Sequence, residues 1–165
     1  MPKKLWEPSK ALIKNSNLFK YEKFVSKNYK YNFSGNYKKL LNWSIKNPKD
    51  FWNSIWDYFE IIGTKANKFE ITKDLINSKF FVNSKLNFAE NLLVKNSNQK
   101  AITFVSENGY REQKSWKELN IDVKKIITFY KKINISEKDR IAAYTPNQIE
   151  TVECFLSASA IGSIW

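Results

Sequence analysis

Apolar positions recur at helical spacing through the first sixty residues. Ser9 precedes Lys10-Ala11-Leu12-Ile13, which reads as a short helix after Pro8. Ser16 or Asn17 precedes Leu18, Tyr21, Phe24 and Val25 at i, i+3, i+6 and i+7, an amphipathic helix with a polar cap. Tyr37, Leu40, Leu41, Trp43 and Ile45 predict a third helix over 36–46. Asn47-Pro48 predicts a fourth, with Asn as cap and Pro at the first helical position. Phe51, Trp52, Ile55, Trp56 and Phe59 form its apolar stripe, read as packing surface rather than a ligand box. Gly63 punctuates its end. Residues 64–85 are polar and weakly periodic, and Phe80-Phe81-Val82 is too short to assign. Asn87 to Lys95 predicts a short helix with Phe88, Leu92 and Leu93 inward, and Asn96-Ser97-Asn98-Gln99 a loop that serves as a boundary.

Beyond that loop the period changes. Ala101 to Val105 predicts a strand, Asn108-Gly109 a hairpin turn because both residues tolerate positive φ, and Tyr110 to Lys114 the returning strand. Ser115-Trp116-Lys117-Glu118 is a capping box, opening a helix whose inner face is Trp116, Leu119, Val123, Ile126, Ile127 and Tyr130. Arg140 to Tyr144 predicts a buried strand. Pro146-Asn147 predicts another helix, with Asn147 and Glu150 spaced as cap and partner and Ile149, Val152, Phe155 and Leu156 inward; Gly162 ends it. Ser163-Ile164-Trp165 reads as the start of a further strand. Strand, helix, strand, helix, strand is the opening of a parallel α/β sheet. An unfinished sheet has an unpaired edge, so the piece by itself is expected to aggregate or stay molten.

Composition adds exclusions. With 42% apolar and 16% aromatic residues the chain is a folded one. The absence of His rules out, within these residues, Ser-His and Cys-His nucleophilic pairs, His-ligated zinc and a His general base. One Cys makes neither an internal disulfide nor a Cys-rich metal site. The longest uncharged apolar stretch, Cys154 to Trp165, falls short of a membrane span. From Met1-Pro2-Lys3-Lys4 onward the N-terminus carries scattered charges and holds no signal-peptide core. Met1 reads as a native start. Ile161 to Trp165 stops on apolar residues, which reads as a chain cut from something longer.

The formal net charge is +12, and it is uneven. Residues 1–49 hold 12 Lys against two Glu, whereas 50–100 and 101–165 are each near balance. Nucleic-acid or anionic-surface binding by residues 1–49 is the obvious alternative reading. The composition favours a blander one. Of 28 basic residues 26 are Lys and only Arg111 and Arg140 are Arg, while Asn occurs 19 times and Ile 17 times, as AT-rich coding produces. Lys is a solvated point charge; Arg is the residue that grips phosphate bidentately.

Candidate chemistry is sparse. The four Gly are isolated, so no phosphate-cradling loop is present. Cys154, on a predicted helix, reads as a buried, inert thiol rather than a reactive one. Glu150 and Glu153 at i, i+3 read as a solvated or capping pair, not an acid–base dyad. Lys38-Lys39, Lys124-Lys125 and Lys131-Lys132 read as solvent-facing. Tyr144-Thr145-Pro146-Asn147 is the loop placed where ligands of α/β sheets approach, between a strand and a helix N-terminus.

Several ordered segments carry a family resemblance. Ile135-Ser136-Glu137-Lys138-Asp139-Arg140-Ile141-Ala142-Ala143-Tyr144-Thr145-Pro146-Asn147, then Glu150 to Trp165, resembles the Gly-Asp-Arg-Val…Pro-Asn…Ile-Gly region of adenylate-forming acyl-CoA synthetases. Ser115-Trp116-Lys117-Glu118-Leu119 resembles their Thr-Tyr/Trp-x-Glu-Leu motif. Lys138 stands where Gly is usual and Ile135 where Val is usual, and neither touches chemistry. Leu5-Trp6-Glu7-Pro8-Ser9, Ser16-Asn17-Leu18, Leu41-Asn42-Trp43-Ser44-Ile45, Asp50-Phe51-Trp52, Ile55-Trp56-Asp57-Tyr58-Phe59 and Lys85-Leu86-Asn87-Phe88-Ala89-Glu90-Asn91-Leu92-Leu93 resemble the N-terminal extension of the acetoacetyl-CoA synthetase branch.

The resemblance implies an α/β fold: a mostly helical N-terminal extension over 1–98, then over 99–165 the first strands and helices of an incomplete AMP-binding sheet domain. It implies a cytoplasmic ligase that joins acetoacetate to coenzyme A through an acyl-adenylate, with ATP and Mg²⁺, releasing AMP and pyrophosphate. Its partners are then the small acid substrate and the remainder of its own chain, with no nucleic acid and no membrane. The family's phosphate loop, metal carboxylate and catalytic Lys belong to a later part of the chain. No catalytic, cofactor-binding or metal residue is carried over, and no ATP, Mg²⁺ or coenzyme A is expected on these residues alone. The matched positions are structural: Trp116, Leu119, Arg140 to Tyr144 and Gly162. A standalone interaction protein is a third reading.

Overall fold

The computed structural model describes residues 5–165; Met1–Lys4, read above as a native start without a signal core, lie outside the described residues. The described chain forms two compact units. One holds the residues up to Ile61 together with Lys65–Ser84, the other Ile62–Thr64 with Lys85–Trp165.

The first unit is helical: α1 (Lys10–Asn15), α2 (Asn17–Tyr29), α3 (Tyr37–Lys46) and α4 (Pro48–Tyr58). Ser9 and Ser16 cap the helices they precede, and Asn36, placed by the pattern inside its helix, is instead the cap of α3. Ser9, Ser16 and Asn36 side-chain oxygens accept from the backbone N–H groups of Leu12, Phe19 and Lys39, each satisfying a donor the first turn leaves free. Asn47 differs: its side chain caps nothing and instead donates from Nδ2 to the Trp43 carbonyl. Pro48 at the first position, with no N–H to satisfy, starts α4 without it.

Tyr21, Val25, Phe33, Leu40 and Trp43 form the core of this unit. Trp43 is its hub, with ring centroids of Tyr31, Phe33 and Phe51 at 5.6, 5.5 and 6.2 Å. Each such burial stabilises by roughly 1.5–3 kcal/mol relative to exposure. The α4 stripe is only partly inward. Trp52 and Phe59 are exposed, and the fully buried residue of α4 is Ser54, whose hydroxyl lies 2.6 Å from the Tyr21 hydroxyl and donates to the Phe51 carbonyl. The polar segment after Gly63 closes through a Glu70–Lys79 bridge. It places Phe80 against Trp52 and Phe81 against Trp56, which accounts for the short apolar island.

The second unit contains α5 (Phe88–Leu92), β1 (Lys100–Val105), β2 (Arg111–Ser115), α6 (Trp116–Lys132) and α7 (Ile149–Ala160). β1 and β2 pair antiparallel, Thr103 opposite Gln113 and Val105 opposite Arg111, around a turn whose Gly109 has φ 84°. The capping box at Ser115 and Glu118 is formed in both directions. Ala89, Leu119, Val123 and Leu156 make the core, so the inward residue of α5 is Ala89; Phe88 and Leu92, expected inside, are exposed. On a helix of five residues one small side chain at the contact lets the backbone approach α7 closely.

The structure departs from the sequence pattern at two further places. Arg140 to Tyr144 is neither strand nor buried: it makes one parallel bridge, Arg140 with Ile164, and Tyr144 is fully exposed. A strand exists only through its neighbours, and 163–165 offers two or three residues of pairing. The bridge is nonetheless parallel, the sense expected of those segments. The last helix starts at Ile149 after Gln148, and its first turn carries no side-chain cap, so Asn147 and Glu150 do not act as cap and partner.

Candidate functional site

The geometry of the second unit centres on Lys114, a β2 residue that periodicity does not single out. Its ammonium lies 2.7 Å from Glu153 Oε1 on α7 and 2.9 Å from Asp122 Oδ2 on α6. Glu153 is buried, with 3% of its surface exposed, so its reading as a solvated partner of Glu150 is overturned. Burial alone would push the Lys114 ammonium down; the hydrogen bonds to Glu153 and Asp122 outweigh it and hold it above its ordinary range. Asp122 is held below the usual carboxylate range, first by Lys125 and then by Lys114. No sequence pattern marks this triad, because its members come from three elements.

Around it the helix layer is tied by polar groups. Ser157 Oγ donates toward the Val123 and Glu153 carbonyls, joining α7 to α6. Asn87 does two things: Oδ1 caps α5 by accepting from Glu90 N–H, and Nδ2 donates to the Ser159 carbonyl near the end of α7. Thr64 and Lys85 exchange backbone hydrogen bonds at 2.7 and 3.1 Å.

The loop singled out as a ligand approach borders a cleft. Ile141, Thr145, Gln148, Cys154, Tyr130 and Trp165 line a hollow of about 250 Å³ beside the start of α7. Thr145 and Thr151 hydroxyls meet at 3.0 Å, and Thr151 donates to the Pro146 carbonyl. Cys154 is partly exposed rather than buried. Burial, with the neighbouring Cys154 thiol, pushes the Tyr130 hydroxyl up to about 12, so the phenol stays protonated near neutrality. A neutral phenol beside a thiol with no base is not an activated nucleophile. Among the described residues no group of three or more His, Cys, Asp or Glu gathers to hold a metal ion. These residues do not fit a Mg²⁺ site. None of the described helices is long and apolar enough to cross a membrane. The arrangement builds a platform: a hairpin and two helices that hold the backbone of residues 139–141 beside Ile164.

The model of the acetyl-coenzyme A synthetase N-terminus matches residues 37–92, from the start of α3 to the end of α5. The acetoacetyl-coenzyme A synthetase of Rhizobium meliloti is 28% identical over 162 residues, which cover 98% of this chain and 25% of that protein. The acetoacetyl-CoA synthetase of Xenopus tropicalis is 32% identical over 168 residues, covering 99% of this chain and 25% of its own length. The chain is similar to acetoacetyl-CoA synthetases along nearly its whole length. It spans about a quarter of the length of these curated relatives. The solved structure of acetoacetyl-CoA synthetase from Streptomyces lividans superposes with a TM-score of 0.86 over 99% of this chain and 26% of that one, at 22% identity. The fold is therefore that of part of an acetoacetyl-CoA synthetase, with the helical region and the opening of the α/β layer in the order expected from the resemblance.

Proposed function

We propose that these residues form the N-terminal part of an acetoacetate–CoA ligase. In this reading acetoacetate attacks ATP to give acetoacetyl-adenylate and pyrophosphate, and the coenzyme A thiol then displaces AMP. The observation that carries it is the homology to acetoacetyl-CoA synthetases along 98% of the chain, at a quarter of their length. Residues 1–98 are the extension and 99–165 the opening of the AMP-binding domain. The described residues contribute scaffold: the Lys114 triad and the α6–α7 layer hold the segments on which further strands pair. Mg²⁺ accompanies ATP elsewhere in the protein, and the enzyme works in the cytoplasm.

The test is a thiokinase assay on the product of the complete reading frame. Pyrophosphate release and thioester formation are followed with acetoacetate, acetate and butyrate, each with ATP and coenzyme A. Acetoacetate is expected to be used best. A wide preference for acetate or butyrate overturns the substrate, and adenylation of no acid overturns the ligase reading.

A further inference from the structure

The first unit leaves an apolar groove open between α2, α3 and α4. Leu18, Tyr21, Leu40, Leu41, Ile55 and Tyr58 line it, and its volume is about 430 Å³. Leu18, Tyr37, Leu41 and Phe59, which also line it, remain 42–63% exposed. Apolar surface gathered in one concave strip marks a contact site rather than scattered exposure. Its borders are basic. α2 and α3 carry Lys20, Lys23, Lys27, Lys38, Lys39 and Lys46 against one acid, Glu22, and Glu22 is already engaged by the Gly35 N–H. None of these six lysines makes an ion pair among the described residues. Lys20 lies one turn from Asn17 and beside Tyr21, and Lys38 one turn from Leu41, so both flank lining positions.

We propose that this groove receives an amphipathic helix with acidic flanks from the part of the same polypeptide that lies outside these 165 residues. A helix laid between helices supplies apolar side chains at i, i+3, i+4 and i+7 to the floor and carboxylates to the lysine borders. A second copy of this chain fits poorly, since it brings the same lysines and a formal charge of +12 to each side. A nucleic acid fits poorly as well: the helices that border the groove contain no Arg to grip phosphate bidentately. About three-quarters of the relatives' length lies outside the matched region, so a covering segment is at hand. The inference rests on the reading of this chain as part of a longer ligase.

Zero-length carbodiimide coupling of lysine amines to carboxylates, followed by peptide mapping, tests it on the complete protein. Lys20 or Lys38 is expected to join an Asp or Glu in a helix beyond residue 165. Leu41→Glu, at an exposed position, places a like charge in the apolar contact and is expected to cut that adduct roughly tenfold. Lys39→Glu, a surface change that leaves both coupling amines in place, keeps the test decisive should Leu41→Glu misfold, and is expected to lower the yield in the same direction. No adduct from Lys20 or Lys38, an adduct only to a second copy or another protein, or a yield indifferent to both substitutions overturns the inference. Thioester formation is read in parallel. Activity without the adduct defeats the groove inference alone, and the adduct without activity defeats the ligase reading alone.

Discussion

Lys114 Nζ stands 2.7 Å from Glu153 Oε1 across 39 residues of sequence, joining the hairpin to the last helix. The carboxylate is buried and the ammonium is its neutralising partner, so the two are unequal to remove. Lys114→Met leaves a buried charge uncompensated and is expected to cost about 3–5 kcal/mol. The double variant with Glu153→Met is expected to recover most of that loss. Hydrogen exchange of α6 and α7 amides in the complete protein measures both; equal protection in the single variant and the parent would refute the role.

The same triad sets a pH window. The folded Lys114 is held above its ordinary range, so its contribution is whole below about 10.4 and is lost as pH rises through the folded value. The folded Asp122 is held below its ordinary range, so its contribution is whole above about 3.9 and is lost as pH falls through the folded value. α6 and α7 are therefore expected to be most protected between those limits, with both flanks flattened in the triple variant Lys114→Met/Asp122→Asn/Glu153→Met, which leaves no buried charge unpaired. A pH-independent profile in the parent would contradict this.

Gly63 is needed for close approach. A Cβ there would lie 2.5 Å from the Lys85 carbonyl oxygen and 2.9 Å from Leu86 Cβ. Gly63→Ala must push apart the paired backbones of Thr64 and Lys85, and about 1–3 kcal/mol of destabilisation is expected from such overpacking. A thermal shift of the complete protein reads it; an unchanged midpoint would show that the backbones yield freely.

Asn87→Ala removes the α5 cap and the tie to Ser159 together. About 1–2 kcal/mol is expected, as for other lost caps. Asn87→Asp keeps the cap acceptor but cannot donate to the Ser159 carbonyl, so it should rescue only part. Urea midpoints of the three proteins check the order Asn, Asp, Ala.

In the helical unit, Tyr21→Phe and Ser54→Ala separate the two ends of one hydrogen bond. Ser54 still donates to the Phe51 carbonyl when the phenol is gone, so Tyr21→Phe should cost about 0.5–1.5 kcal/mol. Ser54→Ala strands a buried phenol and opens space, and about 1–3 kcal/mol is expected. Guanidinium melts of the aromatic fluorescence rank them, and the reverse order would show that Tyr21, not Ser54, is well served without its partner.

Local signals were legible because they need no distant partner. Ser9, Ser16 and Ser115 cap helices they directly precede, and Asn108-Gly109 turns a hairpin of adjacent strands. The Asn147 cap and the Arg140–Tyr144 strand were misread for opposite reasons. Gln148 carries the extended backbone before α7, one residue past the motif. The strand pattern of 140–144 is real, but pairing is a property of two segments and only Ile164 answers it.

By itself the sequence determined the helix starts, the hairpin, the family resemblance and the absence of a His-based site, since each depends on residue type or short spacing. Only the tertiary structure decided that Glu153 is buried against Lys114, that Ala89 rather than Phe88 faces the core, that Ser54 belongs to the interior and that Leu18 and Leu41 border an open groove. The physical reason is common to all four. Burial and charge pairing are set by which surfaces meet, and those surfaces come from elements dozens of residues apart.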